Sequence, residues 1–354
     1  MKRLAVVLFN LGGPDGPKAV KPFLFNLFND KAIIGAPQPL RWLLAKYIAG
    51  KRTAVAQEIY AHMGGGSPIV KLTEAQAKAL QKTLRGELDN VDVQVFVSMR
   101  YWHPFSQQVA ENVKEFNPDH VVLLPLYPQF STTTTESSLA DWKSSAVSAG
   151  LNVVTQSVCC YPTEPGFIEA QVDLLKAGIV DAEKSKKPFR VLFSAHGLPK
   201  KIVDNKADPY PHHVEQGARA IIDLMAAQGY AVEDWKISYQ SRVGPLEWIG
   251  PSTEDEIKRA GQDKKGLVIL PLAFVSEHSE TLVELDIEYK ELADEHGVET
   301  YIRIPAVATH EKFIKGLSSL VTQTIKSAIP LCAQGQNKKL CENTDRACPH
   351  HTIG

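Results

Sequence analysis

The sequence predicts an α/β protein built from two similar lobes, each a parallel sheet flanked by helices. Short, continuously apolar runs of the kind found in buried strands alternate with longer stretches of helical character. This alternation is typical of parallel sheets whose faces are covered by helices. The length of 354 residues is also sufficient for two domains that each bury a core of their own.

A third observation is that the second half of the chain repeats the first. VLF at 7–9 runs into NLGGP, and VLF at 191–193 runs into SAHGLP. VFVSMRY and ISYQSRV match in the same way, with Arg100 and Arg242 at equivalent positions, and VVLLPLYPQFSTTTTESSL is matched by LVILPLAFVSEHSETLVEL. Self-similarity of this extent indicates a duplicated unit. We therefore expect a cleft between the carboxyl ends of the strands of the two lobes, since open α/β sheets bind ligands at those ends.

The predicted elements divide the chain into two lobes and a tail. We assign residues 1–150 and a returning helix within 311–330 to the first lobe, residues 151–310 to the second, and residues 331–354 to a cysteine-bearing C-terminal tail. The predicted strands lie at 4–9, 91–97 and 121–126 in the first lobe, and at 153–158, 191–193, 237–243 and 267–274 in the second.

Composition argues against several classes of function. The formal net charge is −1, so the chain lacks the basic excess of nucleic-acid-binding proteins. The N-terminal MKRLAVVLFNLGGP is interpreted as a first strand, because its apolar run ends too early for a signal peptide. No apolar stretch is long enough to cross a bilayer. We expect a cytoplasmic protein, or one on the cytoplasmic face of a membrane, whose five cysteines are free thiols or metal ligands.

Residues 30–52 differ in character from the rest of the first lobe. Apolar and aromatic side chains, Trp42 and Tyr47 among them, are interleaved with cations such as Arg41 and Lys46. This pattern is typical of a helix at a membrane interface. A core helix beneath a surface loop would show the same pattern.

Histidine and carboxylate side chains follow the apolar run at 267–274. The helix predicted there begins near His278 and Glu280 and continues through Glu284 and Glu288. Carboxylates four residues apart lie on one face of a helix. A solvated helix face, with acids near the positive N-terminus, would show the same spacing. The position directly after a buried strand favours a functional site.

A second histidine, His196, follows the apolar run of the same lobe in FSAHGLP. With a reference pKa of about 6.5, it could accept a proton near neutrality or bind a metal as neutral imidazole. Histidine with carboxylate suits a weakly held divalent metal, or proton removal followed by relay along Glu280, Glu284 and Glu288. The GxSxG and HExxH motifs are absent, which disfavours hydrolytic chemistry.

Six motifs together resemble one enzyme family. FNLGGP, GGGSPI, FSAHGLP, DPYP, YQSRVGPLEWIGPST and SEHSETLVELDIEY closely resemble motifs of the ferrochelatases, which insert ferrous iron into protoporphyrin in the last step of haem synthesis. The resemblance covers roughly residues 3–330. It implies a chelatase-like fold of two Rossmann-like lobes around a porphyrin cleft. It also implies a lyase whose substrates are Fe²⁺ and protoporphyrin IX and which releases two protons.

The resemblance also implies roles for individual residues. His196 and Glu280 would be the metal- or proton-handling pair, facing each other across the porphyrin, and His278 and Glu284 would extend this polar path with Glu288 behind. The residues implied to line the porphyrin cleft are Leu11, Tyr60, Ser67, Arg100, Tyr101, Tyr127, Trp248 and Phe274. Residues 30–52 would form the lip that receives an apolar porphyrin at the membrane.

Other activities are compatible with the same motifs. The chain could act on coproporphyrin or insert cobalt into a related ring, or it could carry a tetrapyrrole without catalysis. The apolar lip favours protoporphyrin, and a carrier would not need His196 and Glu280 to face each other.

The C-terminal tail raises a separate question of metal binding. Cys332, Cys341 and Cys348 lie in a polar stretch, and a [2Fe–2S] cluster requires four thiolates. Some ferrochelatases hold such a cluster with one mid-chain and three C-terminal cysteines, so Cys159, or Cys160 beside it, could supply the fourth ligand. A zinc site that includes His350 or His351 is a rival interpretation, and unrelated thiols in a loose tail are another.

Overall fold

In a computed structural model of the chain, residues 1–242, 244, 246–327 and 331–332 are described. The described residues divide into two compact units. The first unit holds residues 1–127, 131–159 and 321–331, and the second holds residues 128–130 and 160–320. The cysteine tail predicted at 331–354 lies outside the described residues, except for the backbone of Leu331 and Cys332.

The first unit is built on a sheet whose first four strands are parallel. These strands are β1 (Lys2–Asn10), β2 (Val91–Met99), β3 (His120–Pro125) and β4 (Val154–Cys160), in the order β2-β1-β3-β4, with the short β9 (Leu331–Cys332) beside β4. Its helices are a 3₁₀ turn (Pro17–Ala19), α1 (Val20–Phe28), α2 (Leu40–Ala61), α3 (Ile69–Glu87), α4 (Ser106–Phe116) and α5 (Thr135–Ala149).

The second unit repeats this plan. Its strands are β5 (Phe189–His196), β6 (Trp235–Gln240), β7 (Gly266–Pro271) and β8 (Tyr301–Arg303), all parallel and in the order β6-β5-β7-β8. Its helices are α6 (Pro165–Glu183), α7 (Lys200–Lys206), α8 (Tyr210–Ala227), α9 (Thr253–Gln262), a π-helix (Glu280–Glu288) and α10 (Tyr289–Glu295). The last helix, α11 (Glu311–Thr324), begins in the second unit and ends in the first.

The strand order confirms the predicted pair of similar α/β lobes. The strand predicted at 153–158 for the second lobe is instead β4 of the first sheet, because it pairs with β3. In both units the first strand is central, the second lies on one side of it, and the third and fourth lie on the other. The central strands are buried on both faces, so β1 is buried without interruption from Leu4 to Asn10, as expected of a parallel sheet between helices.

The elements after β6 and β7 differ from the sequence prediction. Both strands end earlier than predicted, at Gln240 and Pro271, and the expected α-helix after β7 opens as a π-helix. A π-helix closes i→i+5 hydrogen bonds, and such turns occur frequently at functional sites. Among the described residues, no helix is both long and apolar enough to traverse a bilayer.

Candidate active site

The site in the second unit begins at the carboxyl end of β5. His196 is the last residue of that strand, and the N–H of the next residue, Gly197, donates to the carbonyl of Gln240 at 2.8 Å. A Cβ atom at position 197 would lie 2.8 Å from that same carbonyl oxygen and 3.3 Å from the ring of Trp248. Only glycine therefore lets the chain leave β5 against β6, and this turn leaves His196 at the end of the sheet.

His196 is joined directly to Glu280, the first residue of the π-helix. Nδ1 of His196 lies 2.8 Å from Oε2 of Glu280, and the two side chains are 39% and 22% exposed. Because Nδ1 faces the carboxylate, Nε2 is the nitrogen left for a substrate. Carboxylates that orient a histidine through one ring nitrogen are common behind metal ligands and general bases.

The ionisation of the pair follows from this contact. Burial alone would lower the pKa of His196, but the charge and hydrogen bond of Glu280 outweigh it and raise that pKa above its ordinary value. Burial would raise the pKa of Glu280, but His196 outweighs it and lowers that pKa. Each partner thus favours the charged form of the other.

Glu284 is held by four donors. One oxygen accepts from the backbone N–H of Ser241 (2.7 Å) and the hydroxyl of Tyr289 (2.9 Å), and the other accepts from the hydroxyl of Ser241 (2.5 Å) and the amide of Gln240 (3.0 Å). A carboxylate has about four acceptor positions, so those of Glu284 are filled. Burial and the charge of Glu280 nevertheless raise the pKa of Glu284, against the lowering effect of these hydrogen bonds.

Ser241 also connects the two glutamates. Its hydroxyl lies 3.1 Å from Oε2 of Glu280 as well as 2.5 Å from Glu284. Its backbone is left-handed, with φ of 61°, an uncommon conformation for a residue with a side chain. In this conformation both its N–H and its hydroxyl reach the carboxylates.

A chain of buried hydroxyl groups fixes the amide of Gln240. The hydroxyl of Ser194 donates to the amide oxygen of Gln240 at 2.7 Å. The hydroxyl of Thr253 lies 3.3 Å from that of Ser194 and donates to the hydroxyl of Ser238 at 3.0 Å. The amide nitrogen therefore points toward the π-helix, where it donates to the carbonyl of Glu280 and the carboxylate of Glu284. All of these polar side chains on β5, β6 and α9 are fully buried.

Arg303 of β8 holds the opposite side of the π-helix. Its guanidinium binds Asp286 within the π-helix through Nε at 2.7 Å and also through Nη2, and it binds Glu277 just before the helix at 2.6 Å. The π-helix is thus fastened by Gln240 and Ser241 on one side and by Arg303 on the other.

His278 and Phe274 lie next to each other in the loop before the π-helix. Their ring centroids are 4.7 Å apart, His278 is buried, and its Nδ1 has no hydrogen-bond partner among the described residues. Burial lowers the pKa of His278, against the raising effect of Glu280 and Glu277. Burial thus favours the neutral imidazole of His278. Trp248 lies beside Gly197 on the other loop and is partly buried.

In the first unit, Arg100 and Tyr101 meet at the buried carboxylate of Asp30. One oxygen of Asp30 accepts from Arg100 Nη2 (2.9 Å), the hydroxyl of Tyr101 (2.7 Å) and the hydroxyl of Ser137 (2.5 Å), and the other accepts from the backbone N–H of Ala32. Burial raises the pKa of Asp30, but these donors outweigh it and lower that pKa. Asp30 is therefore an anion.

The other predicted lining residues of the first unit lie on several of its elements and loops. Leu11 packs on an apolar cluster that includes Tyr60 and Tyr101. The N–H of Ser67 donates to the carbonyl of Pro14 at 2.7 Å, and burial raises the pKa of Tyr127 to about 12. Tyr60 and Tyr101 are buried, whereas Leu11, Ser67, Arg100 and Tyr127 are partly buried.

Gln240, Ser241 and Asp30 are not among the residues predicted for the site. Gln240 and Ser241 carry a signal, because they form a polar pair directly after a strand and within the motif YQSRV. Asp30 carries none, since its side-chain partners Arg100, Tyr101 and Ser137 are distant in sequence.

The family follows from comparison with known proteins. The model of the ferrochelatase family matches residues 3–325 of the chain. The chain belongs to the ferrochelatase family. This confirms the resemblance read from the six motifs, and it assigns the chain to the porphyrin metal chelatases, which are lyases.

Individual ferrochelatases match over almost their whole length. The chain is 52% identical to the ferrochelatase of Caulobacter vibrioides over 92% of each sequence, and 50% identical to that of Phenylobacterium zucineum over 96% of the chain and 98% of the relative. It is 48% identical to the ferrochelatase of Rickettsia bellii, over 98% of the chain and 95% of the relative.

Solved structures support the fold. The chelatase SirB from Bacillus subtilis, solved with Fe³⁺, superposes with a TM-score of 0.53 at 13% identity and covers 92% of this chain and 96% of its own. At this identity the match concerns the fold alone. It agrees with the chelatase-like arrangement expected of the ferrochelatase family.

The described part of this ferrochelatase-family chain offers no cluster of metal donors. No group of three or more His, Cys, Asp or Glu side chains there could hold a metal ion. Cys159 and Cys160 are buried at the end of β4, where each offers one thiol. Their predicted partners Cys341 and Cys348 lie outside the described residues, as does the side chain of Cys332.

Proposed function

We propose that this chain inserts Fe²⁺ into protoporphyrin IX, forms protohaem and releases two protons, with the His196–Glu280 pair as its reaction centre. Family membership supports the reaction. The 2.8 Å contact between His196 Nδ1 and Glu280 Oε2 supports the centre, because it orients His196 with a second nitrogen free for the substrate.

His196 acts as the base in this proposal. In its neutral form Nδ1–H donates to Glu280, and the lone pair on Nε2 accepts a proton from a pyrrole nitrogen of the porphyrin. The imidazolium that results is stabilised by the Glu280 carboxylate, as the raised pKa of His196 indicates. The pyrrole nitrogen keeps its electron pair and binds the ferrous ion, so each Fe–N bond that replaces an N–H bond releases one proton.

The proton leaves through the carboxylates in our proposal. Ser241 contacts both Glu280 and Glu284, so its hydroxyl links the two, and Glu288 is exposed at the end of the π-helix. Protonated Glu280 donates its proton to the Ser241 oxygen, while the Ser241 hydroxyl passes its own proton to the Glu284 oxygen that already accepts from it. Glu284 thus gains a proton, Glu280 returns to the carboxylate, and Ser241 ends as a neutral hydroxyl.

The macrocycle must be bent for the metal to enter. A flat porphyrin holds its two N–H groups in the path of the metal, and bending costs on the order of 1–5 kcal/mol, supplied by burial of the rest of the ring. We propose that Phe274, Trp248 and His278 in the second unit contribute to this binding. The predicted lining residues of the first unit contribute likewise: Leu11, Tyr60, Ser67, Arg100, Tyr101 and Tyr127.

The exposed face of α2 supports peripheral contact with a membrane. Apolar side chains are exposed along its first turns, namely Leu40 (51%), Trp42 (42%), Leu43 (55%), Leu44 (36%) and Tyr47 (60%). The ammonium of Lys46 lies 5.0 Å from the Trp42 ring, and that of Lys51 lies 5.0 Å from the Tyr47 ring. Apolar side chains flanked by cations suit the boundary of an anionic bilayer, from which protoporphyrin can enter. We propose the cytoplasmic face of the membrane as the site of this contact.

We also propose a [2Fe–2S] cluster on Cys332, Cys341 and Cys348, with Cys159 or Cys160 as the fourth ligand. The described part of the chain contributes only the buried fourth thiol, so the cluster takes no part in the steps above. Anaerobically purified protein should be reddish and lose its colour in Cys341→Ser. Cys159→Ser and Cys160→Ser then identify the fourth ligand, and a colourless wild-type preparation excludes the cluster.

The decisive experiment is anaerobic incubation of protoporphyrin with Fe²⁺, followed by absorption spectroscopy. We expect haem bands to replace free-porphyrin bands in wild type and in His212→Ala, a control at an exposed histidine of α8. His196→Ala should bind porphyrin but form no haem. Porphyrin that stays bound and unchanged in wild type would indicate a carrier, whereas turnover only with coproporphyrin or cobalt would indicate a different ring or metal as substrate.

A further inference from the structure

Arg100 carries a positive charge that its surroundings already compensate. Its Nη2 donates to Asp30 at 2.9 Å, its Nε donates to Ser137 at 2.8 Å, and its Nη1 lies 3.6 Å from Asp141. All three nitrogens of the guanidinium are therefore directed at partners of the protein, and two of those partners are carboxylates.

The ion pair between Arg100 and Asp30 lies beside apolar side chains. Tyr101, which shares the Asp30 carboxylate with Arg100, belongs to a buried apolar cluster, against which Leu11 and Trp102 also pack. An uncompensated guanidinium beside such a surface would attract any anionic group brought near it. A guanidinium paired with Asp30 exerts a much weaker field.

The carboxylate of Asp30 accepts hydrogen bonds from several segments of the chain. It is the first residue of the apolar segment 30–52, and its second carboxylate oxygen accepts from Ala32 within that segment at 2.8 Å. Its first oxygen accepts hydrogen bonds from Arg100 and Tyr101, which follow β2, and from Ser137 at the start of α5. With 9% exposure, Asp30 is shielded from solvent, so its charge acts mainly on Arg100.

We propose that Asp30 is a specificity-determining residue, which neutralises Arg100 so that this wall accepts an apolar edge of the macrocycle rather than a carboxylate-bearing one. The inference rests on the proposed function, since it concerns the porphyrin that the chain uses. Protoporphyrin has vinyl groups at two positions where the tetracarboxylate coproporphyrin has propionates. Asp30 therefore favours the dicarboxylate over the tetracarboxylate.

The test compares the two porphyrins in variants of the full-length protein. In Asp30→Asn, whose side chain has nearly the same shape, we expect the ratio of kcat/KM for the tetracarboxylate to that for the dicarboxylate to rise about three- to tenfold, as expected for one unpaired charge at close range. The rise should shrink in high salt, because screening weakens charge interactions. Glu111→Gln, which removes one negative charge from the exposed face of α4, should leave the ratio unchanged.

A double variant separates charge from structure. In Asp30→Asn with Arg100→Gln both charges are absent, so the ratio should return toward the wild-type value. A purely structural role for Asp30 would lower activity with both porphyrins alike and leave the ratio unchanged, which would overturn the proposal. If Asp30→Asn does not fold, Asp141→Asn removes the other carboxylate near Arg100 and should raise the ratio by a smaller factor. An unchanged ratio there would overturn the proposal equally.

The controls keep this inference distinct from the proposed function. Wild-type activity with protoporphyrin and Fe²⁺ tests the function by itself. The ratio between the two porphyrins tests only Asp30.

Discussion

Ser241 binds Glu284 twice, through its backbone N–H at 2.7 Å and through its hydroxyl at 2.5 Å. The left-handed backbone of Ser241 makes the double contact possible. It also brings the hydroxyl to 3.1 Å from Glu280, so a single small side chain touches both acids of the site.

Replacing Ser241 with alanine should slow turnover more than it weakens porphyrin binding. Ala keeps the backbone N–H contact but removes the hydroxyl that links the two glutamates, so we expect kcat to fall about a hundredfold, the lower end of the range for loss of a proton-transfer group. The KM for porphyrin should change by less than about threefold. Steady-state kinetics provide the measurement, with Ser148→Ala on the exposed face of α5 as control. An unchanged kcat would remove Ser241 from the proton path.

Activity should increase with pH through the pKa of His196, because the base must be unprotonated to accept a pyrrole proton. Glu280 raises that pKa, so removing its charge in Glu280→Gln should move the titration of His196 to lower pH. The imidazole NMR signals of metal-free protein report this titration directly, independent of activity. A shift to higher pH, or no shift, would contradict the assigned contact.

Gln240→Leu should destabilise the second unit. The substitution leaves the hydroxyl of Ser194 without its acceptor and removes one donor from Glu284. Each buried polar group left unpaired costs about 1–3 kcal/mol, so the free energy of unfolding should fall by about that amount or more. Denaturant unfolding measures it. Ser194→Ala removes only the hydroxyl that donates to Gln240, so it should lower the free energy of unfolding by less. A larger loss in Ser194→Ala than in Gln240→Leu would argue against the hydroxyl chain.

Exposed apolar side chains on α2 should determine binding to membranes. Trp42→Gln with Leu43→Gln should reduce co-sedimentation with vesicles of anionic phospholipid about tenfold or more, because each buried apolar side chain contributes about 1.5–3 kcal/mol. Activity on detergent-dispersed porphyrin should persist. Val147→Gln offers a matched control, since Val147 is 76% exposed on a different helix, α5. Equal loss of binding in the control would exclude α2 as the contact.

The site should also insert zinc in vitro. Histidine and carboxylate groups do not discriminate against Zn²⁺ by affinity, and Zn²⁺ needs the same two protons removed. Fluorescence of zinc protoporphyrin provides the measurement, with His196→Ala as the negative control. An enzyme active with Fe²⁺ but inert with Zn²⁺ would show that other residues select the metal.

The two-lobe fold could be predicted because its strongest signals are local. Strands buried on both faces are continuous apolar runs, and β1 and β5 show this plainly. His196 and Glu280 could be singled out for the same reason, since each follows such a strand. Their direct contact could not be predicted from local patterns, because it depends on where the loop after β7 places the π-helix.

The π-helix and Asp30 show what sequence patterns leave undetermined. Carboxylate spacing at 280, 284 and 288 suits an ordinary α-helix, and the wider turn depends on Gln240, Ser241 and Arg303, which come from other strands and loops. Asp30 pairs with Arg100 across 70 positions of sequence. Such tertiary contacts decide the geometry wherever local preferences are nearly balanced.

The shared strand order of the two units has an evolutionary consequence. In a symmetric dimer of identical subunits, any substitution appears twice, so both copies of a site must change together. Joining two copies in one polypeptide removes that constraint. In this chain the second unit carries His196, at the end of its first strand, with Glu280, while the first unit carries Arg100, after its second strand, with Asp30. Two units of the same strand order within one chain can therefore carry different side chains at their strand ends.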